Sequence, residues 1–330
     1  MQVENVDFLL TFKCPAECQH CSYKAGPKRT GCIKPKEYSK YLNELMALHP
    51  LKSVWVHGGE PFLYFDYMED VIKKAKMMDI PKRGLITNSF WAKNERIAQK
   101  QLERLKKAGL TAITLSFDCF HQEFIPLKYV KNALNSAVKI GFEPIYVDSY
   151  FVEDIDSDNH FNQLTKRNLN QLEKLKGVEF HHLIMSVEGR ATELKQHLKL
   201  KEEIPSKKCP VPFWIEGDLQ NPKTIEIDPE GNITLCPGIC IGNTKIQSLT
   251  EIIQTYDCEK HPILSIISKK GPIGLLELAK VKGFEETQNY VNECHLCYEL
   301  RRYLQPNFPL FLAPKEIYCS LNKKKNYNLI

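Results

Sequence analysis

Up to about residue 190, short apolar runs alternate with longer stretches in which apolar residues return every three or four positions. The short runs Val6–Thr11, Ser53–His57, Gly84–Thr87, Ala112–Phe117, Ile145–Phe151 and Glu179–Met185 are rich in Val, Ile, Leu and aromatic residues. Continuous apolar runs of this length are what strands buried on both faces require. Between them, Tyr38, Tyr41, Leu42, Leu45 and Met46 fall on one helical face, as do Met68, Val71, Ile72 and Ala75. Ile97, Leu102, Leu105 and Ala108 form a third stripe, and Val130, Ala133, Ala137 and Val138 a fourth; Leu164, Leu169, Leu172 and Leu175 are less regular. Gly109, Gly141 and Gly177 follow three of these stretches, where a left-handed cap ends a helix. Six strand–helix units in series predict a parallel α/β fold, open or barrel-like.

Beyond residue 190 the rhythm changes. Thr192–Glu203 is charged and is expected to be a connecting helix. Ile225 to Cys236 holds two alternating runs around Pro-Glu-Gly-Asn and predicts a β-hairpin. The expected division is therefore 1–192 and 193–330. Apart from the strand–helix alternation there is no internal repeat, and no segment is of low complexity.

Composition adds the setting. The chain has 330 residues, 43% of them hydrophobic and 26% charged, which fits a globular protein rather than a disordered one. No apolar stretch has the length of a membrane span. Met1–Phe12 shows neither a basic n-region nor a small-residue cleavage site, so the expected location is cytoplasmic. A net charge of +5 is a mild bias that does not point to nucleic acid, and Lys323-Lys324-Lys325 is expected to be a frayed tail.

Twelve cysteines change the picture more. Disulfide scaffolds are usually much smaller, so clustered cysteines in this setting suggest metal. Cys14, Cys18 and Cys21 form an early group; Cys209, Cys236, Cys240, Cys258, Cys294 and Cys297 form a late one; Cys32, Cys119 and Cys319 stand alone. The early group has the spacing C-x3-C-x2-C and follows the first predicted strand, at the end where parallel α/β folds place their active sites. Three thiolates can hold three irons of a cubane and leave the fourth iron open, unlike the four-cysteine clusters of electron transfer. Zinc is the competing occupant, with His20 as a fourth ligand.

The early spacing resembles the signature of the radical S-adenosylmethionine (SAM) superfamily, and other segments extend the resemblance over residues 5–192. His20 stands where that family has an aromatic residue before the third cysteine. Gly58-Gly59-Glu60-Pro61 resembles its GGEP motif, which implies close backbone approach at Gly58 and Gly59 and an ammonium contact at Glu60. Thr87-Asn88-Ser89 matches a SAM-contacting strand end, Ser116 and Asp118 match ribose-facing positions, and Gly189-Arg190-Ala191 resembles a GRA segment that implies Arg190 near the SAM carboxylate. The resemblance implies a partial (β/α)6 TIM-like barrel and a [4Fe–4S] cluster on Cys14, Cys18 and Cys21. It also implies reductive cleavage of SAM to a 5′-deoxyadenosyl radical that abstracts hydrogen from substrate. A flavodoxin or ferredoxin is the implied electron donor.

The late cysteines resemble a shortened SPASM, or twitch, domain. The likeness implies a second, auxiliary [4Fe–4S] cluster on Cys209, Cys236, Cys294 and Cys297, with Cys240 and Cys258 spare; a structural zinc ribbon is the alternative. Enzymes of this layout usually modify ribosomally made peptides, which implies a peptide substrate. Asn88-Ser-Phe-Trp91 and Asp118-Cys-Phe-His121 resemble segments of the epimerases that make epipeptides. Those enzymes place a hydrogen-donating cysteine directly after the ligand that Cys236 matches, where this chain has Pro237. Cys119, Cys240 and the more remote Cys258 are the candidate replacements; without a donor, the product becomes a crosslink, an oxidation or a rearrangement. Trp91, His121, Tyr150 and Glu188 are candidate pocket residues. No separate leader-recognition domain is expected before Val6, so a peptide would bind the barrel and twitch region directly, by strand addition for example. A radical SAM enzyme acting on a small metabolite and a non-enzymatic zinc or iron–sulfur module are the competing readings.

Overall fold

The structure, a computed structural model, describes residues 1–172 and 177–319. Leu175 and the run at 323–325 lie outside the described residues. All six predicted strands form: β1 (Asn5–Leu9), β2 (Ser53–His57), β3 (Lys82–Thr87), β4 (Ala112–Ser116), β5 (Ile145–Phe151) and β6 (Val178–Ile184). Each pairs in parallel with the next. The helices between them are α1 (Pro35–Leu48), α2 (Phe65–Met77), α3 (Glu95–Ala108), the single turn α4 (Cys119–Gln122), α5 (Leu127–Ile140) and α6 (His160–Leu169).

The helical stripes bury as their spacing predicts, with local substitutions. Tyr38, Tyr41, Leu42 and Leu45 of α1 and Met68, Val71, Ile72 and Ala75 of α2 are buried. Complete burial of such side chains stabilises by roughly 1.5–3 kcal/mol each. On α3 the register starts one residue later than predicted: Ala98 is buried and Ile97 is 36% exposed. On α5, Leu134 is buried and Val138 is 37% exposed. Gly109 and Gly141 end α3 and α5 with positive φ. Gly177 also has a positive φ, but the four residues before it lie outside the described residues; α6 ends at Leu169 on a right-handed Asn170.

The charged stretch after residue 190 is not a regular α-helix. Gly189–His197 winds as tight 3-10 turns. The predicted hairpin is present as β7 (Thr224–Ile227) and β8 (Asn232–Cys236), and β9 (Ile239–Asn243) adds a second antiparallel step. The chain then forms α7 (Leu249–Thr255), α8 (Leu264–Lys270), α9 (Pro272–Val281) and α10 (Glu293–Leu304). β7 pairs in parallel with β1, Asn5 opposite Thr224 and Phe8 opposite Ile227. The result is one nine-stranded sheet in the order β6-β5-β4-β3-β2-β1-β7-β8-β9, running on past residue 192. Side chains at the C-terminal ends of β2 to β6 meet others from β8, β9 and α10 around a single cavity, so the sheet curves as an open barrel. Among the described residues, no helix is long and apolar enough to cross a membrane.

Candidate active site

The cavity has a volume of about 490 Å3, within the range of small-molecule sites. Seven cysteines reach its wall: Cys14, Cys18 and Cys21 of the early group, and Cys209, Cys236, Cys294 and Cys297 of the late one.

The early three sit on the loop after β1. Backbone bonds pin that loop: Cys14 N–H to Gly26 O at 3.1 Å, Gly26 N–H to Phe12 O at 3.2 Å and Cys21 N–H to Cys18 O at 3.1 Å. The segment after β2 packs on its back. Gly59 N–H donates to Thr11 O at 2.6 Å and Glu60 N–H to Lys13 O at 2.9 Å. A Cβ on Gly59 would lie 2.3 Å from Lys13 O, and on Gly58, whose φ is +143°, 2.5 Å from Thr11 O. The two glycines therefore let one backbone lie against another, and both also border the cavity.

Glu60 departs from expectation. It is fully buried and is not on the cavity wall; its carboxylate accepts from Thr87 Oγ1 (2.8 Å), Asn88 N–H (2.9 Å) and Phe62 N–H (3.1 Å). It ties the end of β2 to the end of β3. Burial pushes its pKa up to about 7 against the pull of these donors. Arg190 is likewise turned inward: Nε donates to Cys18 O at 2.9 Å and Nη2 to Ala25 O at 2.5 Å, while its backbone N–H reaches Cys21 O. The GRA segment is thus a clasp behind the cysteine loop, although Arg190 also touches the cavity.

Asn88 borders the cavity and donates from Nδ2 to Cys14 Sγ at 3.4 Å. Ser116 is on the wall. Asp118 lies just behind it, accepting from the His121 N–H (3.0 Å) and the Tyr150 N–H (3.3 Å) and facing His121 Nδ1 at 2.9 Å. Burial alone would raise the Asp118 pKa, but His121 and His20 hold it below the usual carboxylate range. His20 stacks on Phe120 at 4.9 Å, and burial lowers its pKa to about 4, so its ring is neutral. His20, His121, Tyr150 and Glu188 border the cavity; Trp91 does not, being stacked on Phe62 at 3.9 Å with Nε1 bonded to Thr87 Oγ1.

Burial pushes the thiols of Cys14 and Cys18 up, and the neighbouring cysteines push them further. Cys209, Cys236, Cys294 and Cys297 are raised by burial too, and are near enough to one another to interact. Sets of buried, mutually repelling thiols suit a site in which a metal centre replaces their protons. Among the described residues, the one set of three or more ligating side chains drawn in to single-ion spacing is His20, Asp118 and His121, within 4.8 Å of one another.

The candidate hydrogen donors are elsewhere. Cys119 is buried beneath the barrel mouth against Thr165, Cys240 donates from Sγ to Gly242 O at 3.0 Å, and Cys258 is buried near Tyr256 and Ser268. None of the three borders the cavity.

Tyr23, His57 and Arg301 also border the cavity and, with Glu226 behind the wall, escape the sequence reading. Tyr23 donates to Glu226 Oε2 at 2.6 Å, and His57 Nε2 faces the same oxygen at 3.2 Å. Glu188 pairs with the fully buried Arg301 at 3.1 Å. The only sequence signal for Arg301 is its place on α10, four residues after Cys297 and seven after Cys294, on one helical face.

The sequence profile of the radical SAM superfamily matches residues 8–167. The chain is 22% identical over 311 residues to the "putative peptide biosynthesis protein YydG" of Bacillus subtilis (strain 168), covering 90% of this chain and 92% of that protein. It is 26% identical over 160 residues to the GTP 3′,8-cyclase of Listeria welshimeri, covering 45% of this chain and 46% of the cyclase. Among solved structures, anSMEcpe with bound AdoMet superposes with a TM-score of 0.50 at 12% identity, over 92% of this chain and 97% of that one, a likeness of fold. With the profile match starting in β1 and spanning the cysteine loop, the glycine segment and the Asp118 strand end, residues 8–167 of this enzyme are a radical SAM domain.

Proposed function

We propose that the enzyme modifies a ribosomally made peptide, using a [4Fe–4S] cluster and SAM at Cys14, Cys18 and Cys21 and a second [4Fe–4S] cluster at Cys209, Cys236, Cys294 and Cys297. One observation carries this reading: both cysteine groups open onto the same cavity. A substrate lying there touches both centres. The relative whose name refers to peptide biosynthesis aligns over 90% of this chain, whereas the cyclase aligns over 45%. The cluster and SAM, when bound, supply a hydrogen-abstracting radical, with the electron coming from a carrier of the flavodoxin or ferredoxin class.

The protein's own groups arrange the rest. Arg190 and Gly59 hold the cysteine loop in place, Asn88 directs an N–H at Cys14, and Asp118 orders His121 at the rim. Among the described residues, every cysteine on the wall belongs to one of the two ligand groups. A thiol other than a ligand is therefore not at hand to return hydrogen, which favours a crosslink or an oxidation over epimerisation. Residues 193–330 act in this reading as the auxiliary-cluster unit, joined to the barrel by the β1–β7 pairing.

The test is anaerobic reconstitution with dithionite, SAM and the peptide encoded beside the gene, run in D2O and read by mass spectrometry. The expected product lacks a pair of hydrogens and carries no deuterium at carbon. Deuterium at an α-carbon would replace the crosslink or oxidation by epimerisation. Turnover of a small molecule with no peptide present would replace the peptide reading by the metabolite one, for which the half-length match to the cyclase is the support.

A further inference from the structure

Arg301 is a cation with almost no exposure, 1%. Burying a guanidinium costs several kcal/mol unless it is paired and hydrogen-bonded. Glu188 pairs with Nη2, and Nη1 donates to Pro237 O at 2.7 Å and Tyr318 Oη at 3.0 Å. Nε is buried and has no partner among the described residues. Arg301 shares the cavity wall with Cys209, Cys236, Cys294 and Cys297, and sits on the same face of α10 as Cys294 and Cys297. The guanidinium also hydrogen-bonds the Cys297 thiol, so the unpartnered Nε belongs to a group already seated at the late cysteines, where a bound sulfur would serve as its acceptor.

We infer that Arg301 sets the reduction potential of the second cluster, through its charge and an Nε–H bond to a cluster sulfur, with Glu188 as the counter-charge that holds it. This rests on the proposal that the late cysteines carry a cluster. The physics has a definite sign. Reduction adds negative charge, so a nearby cation and an N–H donor to sulfur raise the potential, and a nearby anion lowers it. Arg301 is a positioning and tuning residue here, acting through the cluster rather than on substrate. The Glu188–Arg301 pair also joins the two centres, since Glu188 precedes Gly189 and Arg190, which clasp the first cysteine loop.

The experiment is potentiometric titration followed by EPR, in full-length protein whose first site is emptied by Cys14→Ala, Cys18→Ala and Cys21→Ala. Arg301→Gln is expected to make reduction at least tenfold less favourable, ~59 mV downward for a one-electron couple. Glu188→Gln is expected to move the potential upward. A residue that only supports the fold would loosen the cluster in both variants alike and would not give opposite signs. Should Arg301→Gln fail to load iron, the paired Glu188→Gln/Arg301→Gln variant, which leaves no unpaired buried charge, is expected to load and to titrate between the two single variants. Shifts of the same sign, or none beyond threefold, overturn the inference. Failure of the underlying cluster proposal looks different: protein with the first site emptied then holds no iron at all.

Discussion

Arg190 separates two accounts of the same residue. The family resemblance places it beside the SAM carboxylate; the structure has its guanidinium donating to Cys18 O at 2.9 Å and Ala25 O at 2.5 Å. The perturbation is Arg190→Met, which keeps the aliphatic stem and removes both bonds. A hydrogen bond from a charged donor is worth ~1.5–3 kcal/mol, so two come to about 3–6 kcal/mol. That is a large share of the ~5–15 kcal/mol that holds a domain together. Arg190→Lys can reach one carbonyl at a time and should lose about half as much. The assays are urea unfolding of the cluster-free chain and iron content after anaerobic reconstitution. Both should fall in the order wild type, Lys, Met. If Arg190 instead served SAM, stability would hold and SAM affinity alone would drop, by tenfold to a hundredfold for a loss of about 1.5–3 kcal/mol. Unfolding of the Met variant within about 1 kcal/mol of wild type, with iron content intact, refutes the clasp.

Gly59→Ala drives a methyl group into Lys13 O and C at 2.3 and 2.6 Å; it should cost about 1–3 kcal/mol and reduce iron at the first site, measured by unfolding and iron assay. Gly141→Ala is the control: its φ is +76° with nothing within 4 Å, so it should cost roughly 1–2 kcal/mol in backbone strain and leave iron unchanged. Cys119→Ser with Cys240→Ser should leave the peptide product and its deuterium pattern unaltered, since neither thiol borders the cavity; a lost or changed product by mass spectrometry would contradict that placement. Burial raises Asp228 to about 7, so between the ordinary carboxyl pKa and about 7 the folded chain keeps a proton that the unfolded chain releases. Stability from this group therefore falls as pH rises through that window and is flat above it, by up to about 4 kcal/mol. Urea titrations of wild type and Asp228→Asn at pH 5 and pH 8 should differ in slope in that direction.

Periodicity was enough for the barrel half of the fold because each element there is buried by its neighbours in sequence. A run such as Ala112 to Phe117, apolar at nearly every position, has only one environment available, a strand covered on both faces. The errors came where burial was partial. Ile97 and Ala98 can each begin the stripe of α3, and the helix resolves the choice by burying the smaller residue. The strand-end motifs were legible as positions but not as roles. Glu60 and Arg190 were found, yet whether a carboxylate or guanidinium faces a ligand or its own backbone depends on which donors and acceptors the fold leaves unpaired. Here the cysteine loop's carbonyls and the N–H groups after β2 and β3 claim them.

Glu226 and Arg301 were invisible for a different reason, which also explains how the two cysteine groups come together. In an alternating run such as Thr-Ile-Glu-Ile, the polar position is ordinarily the wet one. That rule fails in β7 because β1, nearly 220 residues earlier, lies beside it, and Tyr23 from the loop after β1 and His57 at the end of β2 cover Glu226. No local pattern encodes a pairing between segments so far apart. The same pairing carries the late hairpin, and with it Cys236, to the strand that leads into Cys14. A sheet fixes strand spacing to within tenths of an ångström, at about 4.8 Å per step. The placement of Cys236 relative to the Cys14 loop is therefore set by the hydrogen-bonded ladder β1-β7-β8, while Cys209 arrives on the irregular connection through residues 198–212 and Cys294 and Cys297 on α10. Arg301 then follows from the geometry: Glu188 is buried beside the late cysteines, and a buried cation on the same face as Cys294 and Cys297 is what pairs with it.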